Sequence, residues 1–225
     1  MKNEQFEKDI ELVPNLFPSL NIVYADGSKI LKGELHIIDN TGKRWETYEI
    51  EIKASSDYPN RFPKFFEIGN AFPKIADWHV YENDESCCVD VTPNEILICK
   101  SGLSVLEFIK RFAIPYLANQ KFRELEGYYL YGEYPHGIFG RIMFYQSKLK
   151  AKSPQELIQM FDLIIKGYNP DRRAFCPFCR KEKFRKCHRN AFAELKAIDT
   201  FLHFDAKEQL VPFFINNPKY ELPKV

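Results

Sequence analysis

The six cysteines of the 225-residue chain form two groups, and each group indicates a different chemistry. Three lie in the middle of the chain and three near its C-terminal end. The N-terminal residues lack the apolar core of a signal peptide, and no run approaches the roughly 20 apolar residues that span a bilayer. A cytoplasmic location is therefore expected, where cysteines are more often reactive or metal-bound than paired in disulfides.

The adjacent residues Cys87 and Cys88 are the first candidates for catalysis, because a thiolate is the nucleophile of thiol chemistry. Four acidic residues flank them and should raise a thiol pKa: Glu82, Asp84, Glu85 and Asp90. This argues against a protease-type nucleophile and favours thioester exchange, in which an activated acyl donor reacts even with a less ionised thiol. A buried, inert pair is the alternative interpretation. Cys99 follows two apolar residues and is predicted to be a core residue. Because Lys100 is next to it, Cys99 is also kept as a reserve nucleophile.

The second group supplies the ligand types that Zn²⁺ prefers. Four candidate ligands lie within thirteen positions: Cys176, Cys179, Cys187 and His188. A complete tetrahedral set leaves no open coordination position, so the predicted cofactor is structural Zn²⁺. The pattern resembles the SEC-C type of zinc knuckle, expected over residues 174–203. A basic run, 180–186, lies between the ligand pairs, and the alternative interpretation is a loop of reduced thiols with a cationic face.

The elements that would position the mid-chain cysteines indicate an α+β fold. A short helix from Asn3 to about Leu12 precedes an antiparallel meander with one polar face, and an irregular stretch then runs to about Leu97. Ser104 and Glu107 form a capping box for an amphipathic helix. The segments with strand character are 20–24, 31–38, 45–52 and 65–68.

The C-terminal third is predicted to be helical. Ser153 and Glu156 form a second capping box, and a further helix is expected over residues 189–202. We therefore predict one domain over residues 1–150 and a helical region over 151–225 that contains the zinc knuckle. Lys plus Arg (32) nearly balances Asp plus Glu (31), so a nucleic-acid or membrane partner is not expected from the net charge.

The order of several motifs resembles that of the ubiquitin-conjugating (E2) enzymes over about residues 5–125. The matching residues are Tyr58-Pro59, Phe62-Pro63-Lys64, His79 and Cys88-Val89-Asp90, followed by a helix. The resemblance implies an E2-like transferase in which Cys88 is the catalytic cysteine and His79 braces its loop. Where the family has Pro and Asn after this histidine, the chain has Val80 and Tyr81, so Asn83 is the candidate substitute for the oxyanion-stabilising asparagine.

A downstream run, 132–137, followed by Gly140 and Phe144-Tyr145, looks like the C-terminal signature of prokaryotic E2-like proteins. It most resembles the E2-only component of short type II CBASS anti-phage operons. That resemblance implies a thioester-type bond with the C-terminal glycine of a partner nucleotide cyclase (CD-NTase), which primes or regulates the cyclase. His136 is a candidate general base in this run, or a turn histidine bonded to backbone.

Two other interpretations stay open at this stage. The first is a catalytically inactive E2 variant that serves as a binding scaffold, in keeping with the missing asparagine. The second makes the basic run between the zinc ligands a clamp for RNA or DNA, against which the near-zero net charge argues.

Overall fold

The structure, a computed structural model, describes residues 3–130 and 137–223 and is α+β, as predicted. The chain forms two compact units. The first comprises Met1–Asp90 with Ile98–Glu133, and the second comprises Val91–Leu97 with Tyr134–Val225. The predicted domains over residues 1–150 and 151–225 stay a prediction.

The first unit contains a four-stranded antiparallel sheet in sequential order, which confirms the predicted meander. Its strands are β1 (Leu20–Ala25), β2 (Ser28–Ile38), β3 (Arg44–Lys53) and β4 (Lys64–Glu67). Asp26 and Gly27 join β1 to β2 with positive φ at both positions, which a two-residue hairpin with the right-handed strand twist requires. In β3, Tyr48, Ile50 and Ile52 are buried in alternation with more accessible residues, so one face of the sheet covers the core.

The first unit also contains helices α1 (Glu4–Asp9), α2 (Val13–Leu16), α4 (Val105–Phe108) and α5 (Ile114–Glu126). Helix α3 (Thr92–Lys100) is divided between the two units. The capping box of Ser104 and Glu107 is present, as predicted. A π-helical turn, Ile109–Ala113, separates α4 from α5 just before Pro115, which has no N–H to donate to the preceding turn.

Helix α3 corrects the prediction of an irregular stretch to Leu97. Its residues up to Leu97 group with the second unit and those from Ile98 with the first. The apolar residues therefore follow no single stripe, and the helical periodicity that sequence reasoning relies on is lost. Cys99 is buried in the hydrophobic core of the first unit, as predicted.

The second unit is built mainly from helices α6 (Gly137–Leu149), α7 (Pro154–Ile165), α8 (Arg189–Lys196) and α9 (Thr200–Asn216). Ser153 caps α7 as predicted, and the Glu156 carboxylate accepts from Lys152 N–H. The single helix predicted over residues 189–202 is wrong, because the Asp199 carboxylate accepts from Phe201 N–H and starts a new helix there. In the described residues, no helix is both long and apolar enough to cross a membrane.

Candidate functional site

The loop between β4 and α3 carries Cys87 and Cys88 in a short hairpin-like pairing. Cys88 N–H donates to the His79 carbonyl (2.7 Å), and Tyr81 N–H donates to the Ser86 carbonyl (2.9 Å). Cys87 N–H donates instead to the Phe65 carbonyl of β4 (2.7 Å). The loop is thus fixed both to itself and to the edge of the sheet.

Extended pairing separates the two neighbouring thiols, because successive side chains of an extended segment point to opposite sides. The Cys87 side chain lies in the core at 7% exposure, and desolvation by burial raises its pKa to about 12. Cys88 is half-buried, and its Sγ lies 3.9 Å from the Asp90 carbonyl oxygen. Of the two, Cys88 therefore has the accessibility that a nucleophile requires.

The acidic turn between the paired segments is held by Asp84. Its carboxylate accepts from Ser86 N–H (3.0 Å) and Oγ (2.6 Å), and it forms an ion pair with Lys64 at 2.8 Å. Burial opposes ionisation, yet the hydrogen bonds from Lys64 and Ser86 lower the pKa of Asp84 to about 2. Asn83 is exposed in this turn.

His79 is held in place by a polar network that sequence reasoning missed. The residue has left-handed backbone angles (φ 52°, ψ 46°), and the Tyr116 hydroxyl donates to its carbonyl (3.0 Å). Gln120 donates to the Trp78 carbonyl (3.0 Å), and the Tyr129 hydroxyl donates to Gln120 (3.1 Å). The carbonyl that receives Cys88 N–H is thereby fixed from helix α5.

Arg123 extends the network to the start of this loop. It pairs with Asp77 and lies over the rings of Trp78 and Tyr129. The Tyr129 ring also packs edge-on against the His79 ring at 5.1 Å between centroids. The spacing of Tyr116, Gln120 and Arg123 by about one helical turn is the sequence signal that could have indicated a shared face.

We expect Tyr116→Phe to destabilise the first unit by about 1–3 kcal/mol, because the Trp78 and His79 carbonyls lose a buried donor. Urea unfolding followed by circular dichroism measures this change. Tyr24→Phe is the matched control, since Tyr24 is 71% exposed and should lose almost nothing. Equal stability of the two variants would contradict the bracing role of Tyr116.

Two residues that the sequence analysis singled out near the cysteine loop, Val80 and His136, are left to be placed. Val80, which stands in the place of the family's proline, is buried and bridges Cys87 in antiparallel fashion. His136 lies outside the described residues, so its role stays a prediction. The structure therefore brings together Cys88 and His79, and it places Cys87 in the core.

The four candidate metal ligands of the second unit converge as predicted. Their ligand atoms lie within 4.8 Å of one another. His188 Nδ1 is 3.2 Å from Cys176 Sγ and 2.9 Å from Cys187 Sγ, and the Sγ atoms of Cys179 and Cys187 are 3.4 Å apart. Tetrahedral Zn²⁺ would space these atoms by about 3.5–3.8 Å, which fits the cluster with small adjustments.

Local structure fixes the orientation of the ligands. Cys176 N–H donates to the Glu182 carbonyl (2.7 Å), and Phe175 forms an antiparallel bridge with Lys183. His188 donates from Nε2 to the Leu149 carbonyl (2.7 Å), which leaves Nδ1 facing the thiols as a metal ligand requires. The cluster can bind a metal ion.

The thiols of the cluster differ in ionisation. Burial acts to raise the pKa of Cys179, but backbone hydrogen bonds from Lys181 and Glu182 outweigh it and lower the value to about 7. Desolvation and the neighbouring sulfurs raise the pKa of Cys187. Because Zn²⁺ binds thiolates, metal binding at this cluster would release the protons that the thiols still carry.

Comparison of the chain with protein-family models, with curated proteins and with solved structures finds no match.

Proposed function

We propose that the chain is an E2-like acyl-transfer protein in which Cys88 forms a thioester with the C-terminus of a partner protein. The observation that carries the proposal is the separation of the adjacent thiols, because Cys87 packs into the core while Cys88 stays accessible at a braced loop. A purely structural cysteine pair would have no need of this braced, half-exposed position.

The order of elements supports the same assignment. A short N-terminal helix, a four-stranded meander, a cysteine-bearing loop and a following helix occur in the order that the resemblance to ubiquitin-conjugating enzymes predicts. The braced backbone carbonyl of His79 accepts the Cys88 N–H, and the His79 ring packs against the Tyr129 ring, so the residue joins the cysteine loop to the network of helix α5. His79 is thus proposed to position Cys88 rather than to touch the acyl group.

The proposed reaction is an acyl exchange. The Cys88 thiolate attacks the C-terminal carbonyl of a partner that is activated as a thioester. The new carbon–sulfur bond forms as the old one breaks, and the thiolate of the activating group leaves with the bonding electrons. An amine, or water, later attacks the thioester and releases the Cys88 thiol. Asn83, exposed in the neighbouring turn, and His136 are the proposed assisting groups.

The proposed partner has a flexible tail that ends in glycine, because a residue without a side chain can approach a half-buried sulfur most closely. A CD-NTase cyclase of a CBASS anti-phage operon is the partner that the resemblance favours. In that setting the adduct would regulate cyclase signalling.

A scaffold without catalytic activity is the second candidate, and one observation favours it. The second position after His79, where the ubiquitin-conjugating family has its oxyanion-stabilising asparagine, is occupied by Tyr81, which has no carboxamide and is 42% exposed. A binding protein would keep the E2-like surface and lose the chemistry.

Incubation with a glycine-terminated peptide activated as an aryl thioester distinguishes the two candidates. The acyl-transfer proposal expects a 1:1 adduct in intact mass spectrometry that dithiothreitol removes. If the protein is only a scaffold, we expect no adduct, or only slow acylation shared among several thiols. Peptide mapping of the adduct identifies the sulfur that carries it.

For the second unit, we propose that the metal is structural Zn²⁺. Three sulfurs and one imidazole complete a tetrahedral set and leave no position for substrate. When bound, the ion would link Cys176 and Cys179 to Cys187 and His188, which lie at the start of α8.

A further inference from the structure

The segment that carries the first candidate metal ligand pairs with a later segment through an isolated β-bridge, and we call the paired segments, 172–176 and 182–185, the ribbon. Residues 172–176 pair with 182–185 through three hydrogen bonds and the bridge between Phe175 and Lys183. Cys176 N–H donates to the Glu182 carbonyl, Phe184 N–H to the Ala174 carbonyl and Arg185 N–H to the Arg172 carbonyl. The ribbon is thus fixed by its own backbone.

The two faces of this ribbon differ sharply. Cys176 and Phe184 point inward and are buried, at 0% and 3% exposure. Because side chains alternate along a strand, Phe175 and Lys183 share the opposite face, which faces solvent. Phe175 is 68% exposed there, although its neighbours on the inner face take part in the core of the unit.

Cations are frequent in the segments next to this exposed ring. Arg173 lies in the turn just before Phe175, and Arg185 lies in the 3-10 turn Phe184–Lys186 that follows Lys183. Over residues 171–189 the chain has eight basic residues and two acidic ones. All eight are exposed: Arg172, Arg173, Arg180, Lys181, Lys183, Arg185, Lys186 and Arg189.

Three cations elsewhere in the unit are paired with acidic side chains. Arg141, Lys148 and Lys207 each form an ion pair with a carboxylate. Within residues 3–130 and 137–223, none of the eight ribbon cations has a carboxylate partner. A metal bound by three thiolates and one imidazole would carry a single negative charge, which is too little to explain so many cations.

We propose that the outer face of this ribbon binds single-stranded nucleic acid, with Phe175 stacking on a base and the flanking cations contacting phosphates. An exposed aromatic ring among cations is the arrangement that sequence-tolerant single-strand binding uses. The net charge of +1 gives no sign of this basic face, because the net charge sums these cations with the acidic residues elsewhere in the chain. The proposal does not depend on acyl transfer by Cys88.

The test uses the full-length, zinc-loaded chain and a fluorescein-labelled oligouridylate of about 20 nucleotides, long enough to cover such a site. Fluorescence anisotropy should show micromolar binding that weakens with salt, with a log–log slope of about −2 to −3. Phe175→Ala should weaken binding about tenfold, and Phe175→Tyr should restore most of it. Inorganic polyphosphate, which has no bases, should bind wild type and Phe175→Ala equally.

Matched controls separate this face from general effects of charge and exposure. Phe201→Ala removes an aromatic ring of 70% exposure on α9 and should leave binding unchanged. Lys183→Glu with Arg185→Glu should reduce binding at least about tenfold, whereas Lys166→Glu with Lys219→Glu changes the net charge equally and should have little effect. Zinc content confirms that each variant is folded around the cluster.

Two results would overturn the proposal. One is no saturable binding of the oligonucleotide by the wild-type protein. The other is binding of a polyglutamate peptide as tightly as the oligonucleotide, with Phe175→Ala altering neither, which would make the face a docking site for acidic proteins.

Discussion

Cys88→Ala is expected to abolish the dithiothreitol-sensitive adduct with the activated glycine peptide while leaving stability unchanged. The half-buried Cys88 side chain contributes little to the core, whereas its sulfur is the proposed nucleophile. Cys88→Ser should instead give a slower-forming ester that dithiothreitol does not remove, because an oxygen ester resists thiol exchange. Intact mass spectrometry with and without the reductant measures each outcome.

Cys87→Ala is the matched control for this prediction, since it removes the neighbouring sulfur. Its thiol is 7% exposed and its pKa is raised to about 12, so it should contribute packing and no chemistry. We expect an intact adduct at Cys88 together with a loss of about 1–2 kcal/mol in the free energy of unfolding. An adduct that disappears in Cys87→Ala but persists in Cys88→Ala would show that the assignment of the nucleophile is wrong.

Removal of the metal is expected to unfold the segment from the ribbon through α8. Zinc binding stabilises comparable small modules by roughly 10–16 kcal/mol, and the buried Cys176 is placed by the same ribbon that the metal would hold. A strong chelator should therefore lower helical circular dichroism, and protease digestion should begin within residues 172–196. Added Zn²⁺ should reverse both changes.

Substitution of a single candidate ligand gives an independent measurement of zinc binding. Cys176→Ser and His188→Ala should each reduce the bound zinc from one equivalent to a small fraction, as measured by plasma mass spectrometry. Cys99→Ala is the control, because this buried thiol lies in the core of the first unit and should leave zinc content unchanged. A wild-type protein without stoichiometric zinc, or full zinc in both ligand variants, would contradict the proposal.

The metal cluster shows how much a local pattern can predict. All four members of the Cys/His cluster were identified from residue type and spacing, because thirteen consecutive positions contain them and a short turn can bring them together. The capping residues Ser104 and Ser153 were also predicted correctly, since a cap depends on a side chain and a backbone N–H only three positions apart.

The mid-chain site was predictable only in part. Its residue types and its position in a loop after the meander were evident from the sequence. The network from Tyr116 and Gln120 to the Trp78 and His79 carbonyls joins residues separated by 37 to 42 positions, and no local pattern encodes such a contact. Helix α3 was missed for a related reason, because its residues are divided between two units.

By itself, the sequence determined the helices with clear caps, the four-stranded meander, the four candidate metal ligands and the choice of Cys87 and Cys88 as candidate nucleophiles. Only the tertiary structure decided which of those two thiols is accessible, and that Phe175 and Lys183 share one face. Side-chain direction in an extended segment reverses at every residue, so it depends on the register with a partner strand. That register is set by contacts distant in sequence, which is why neither result could be derived from residue types and spacing.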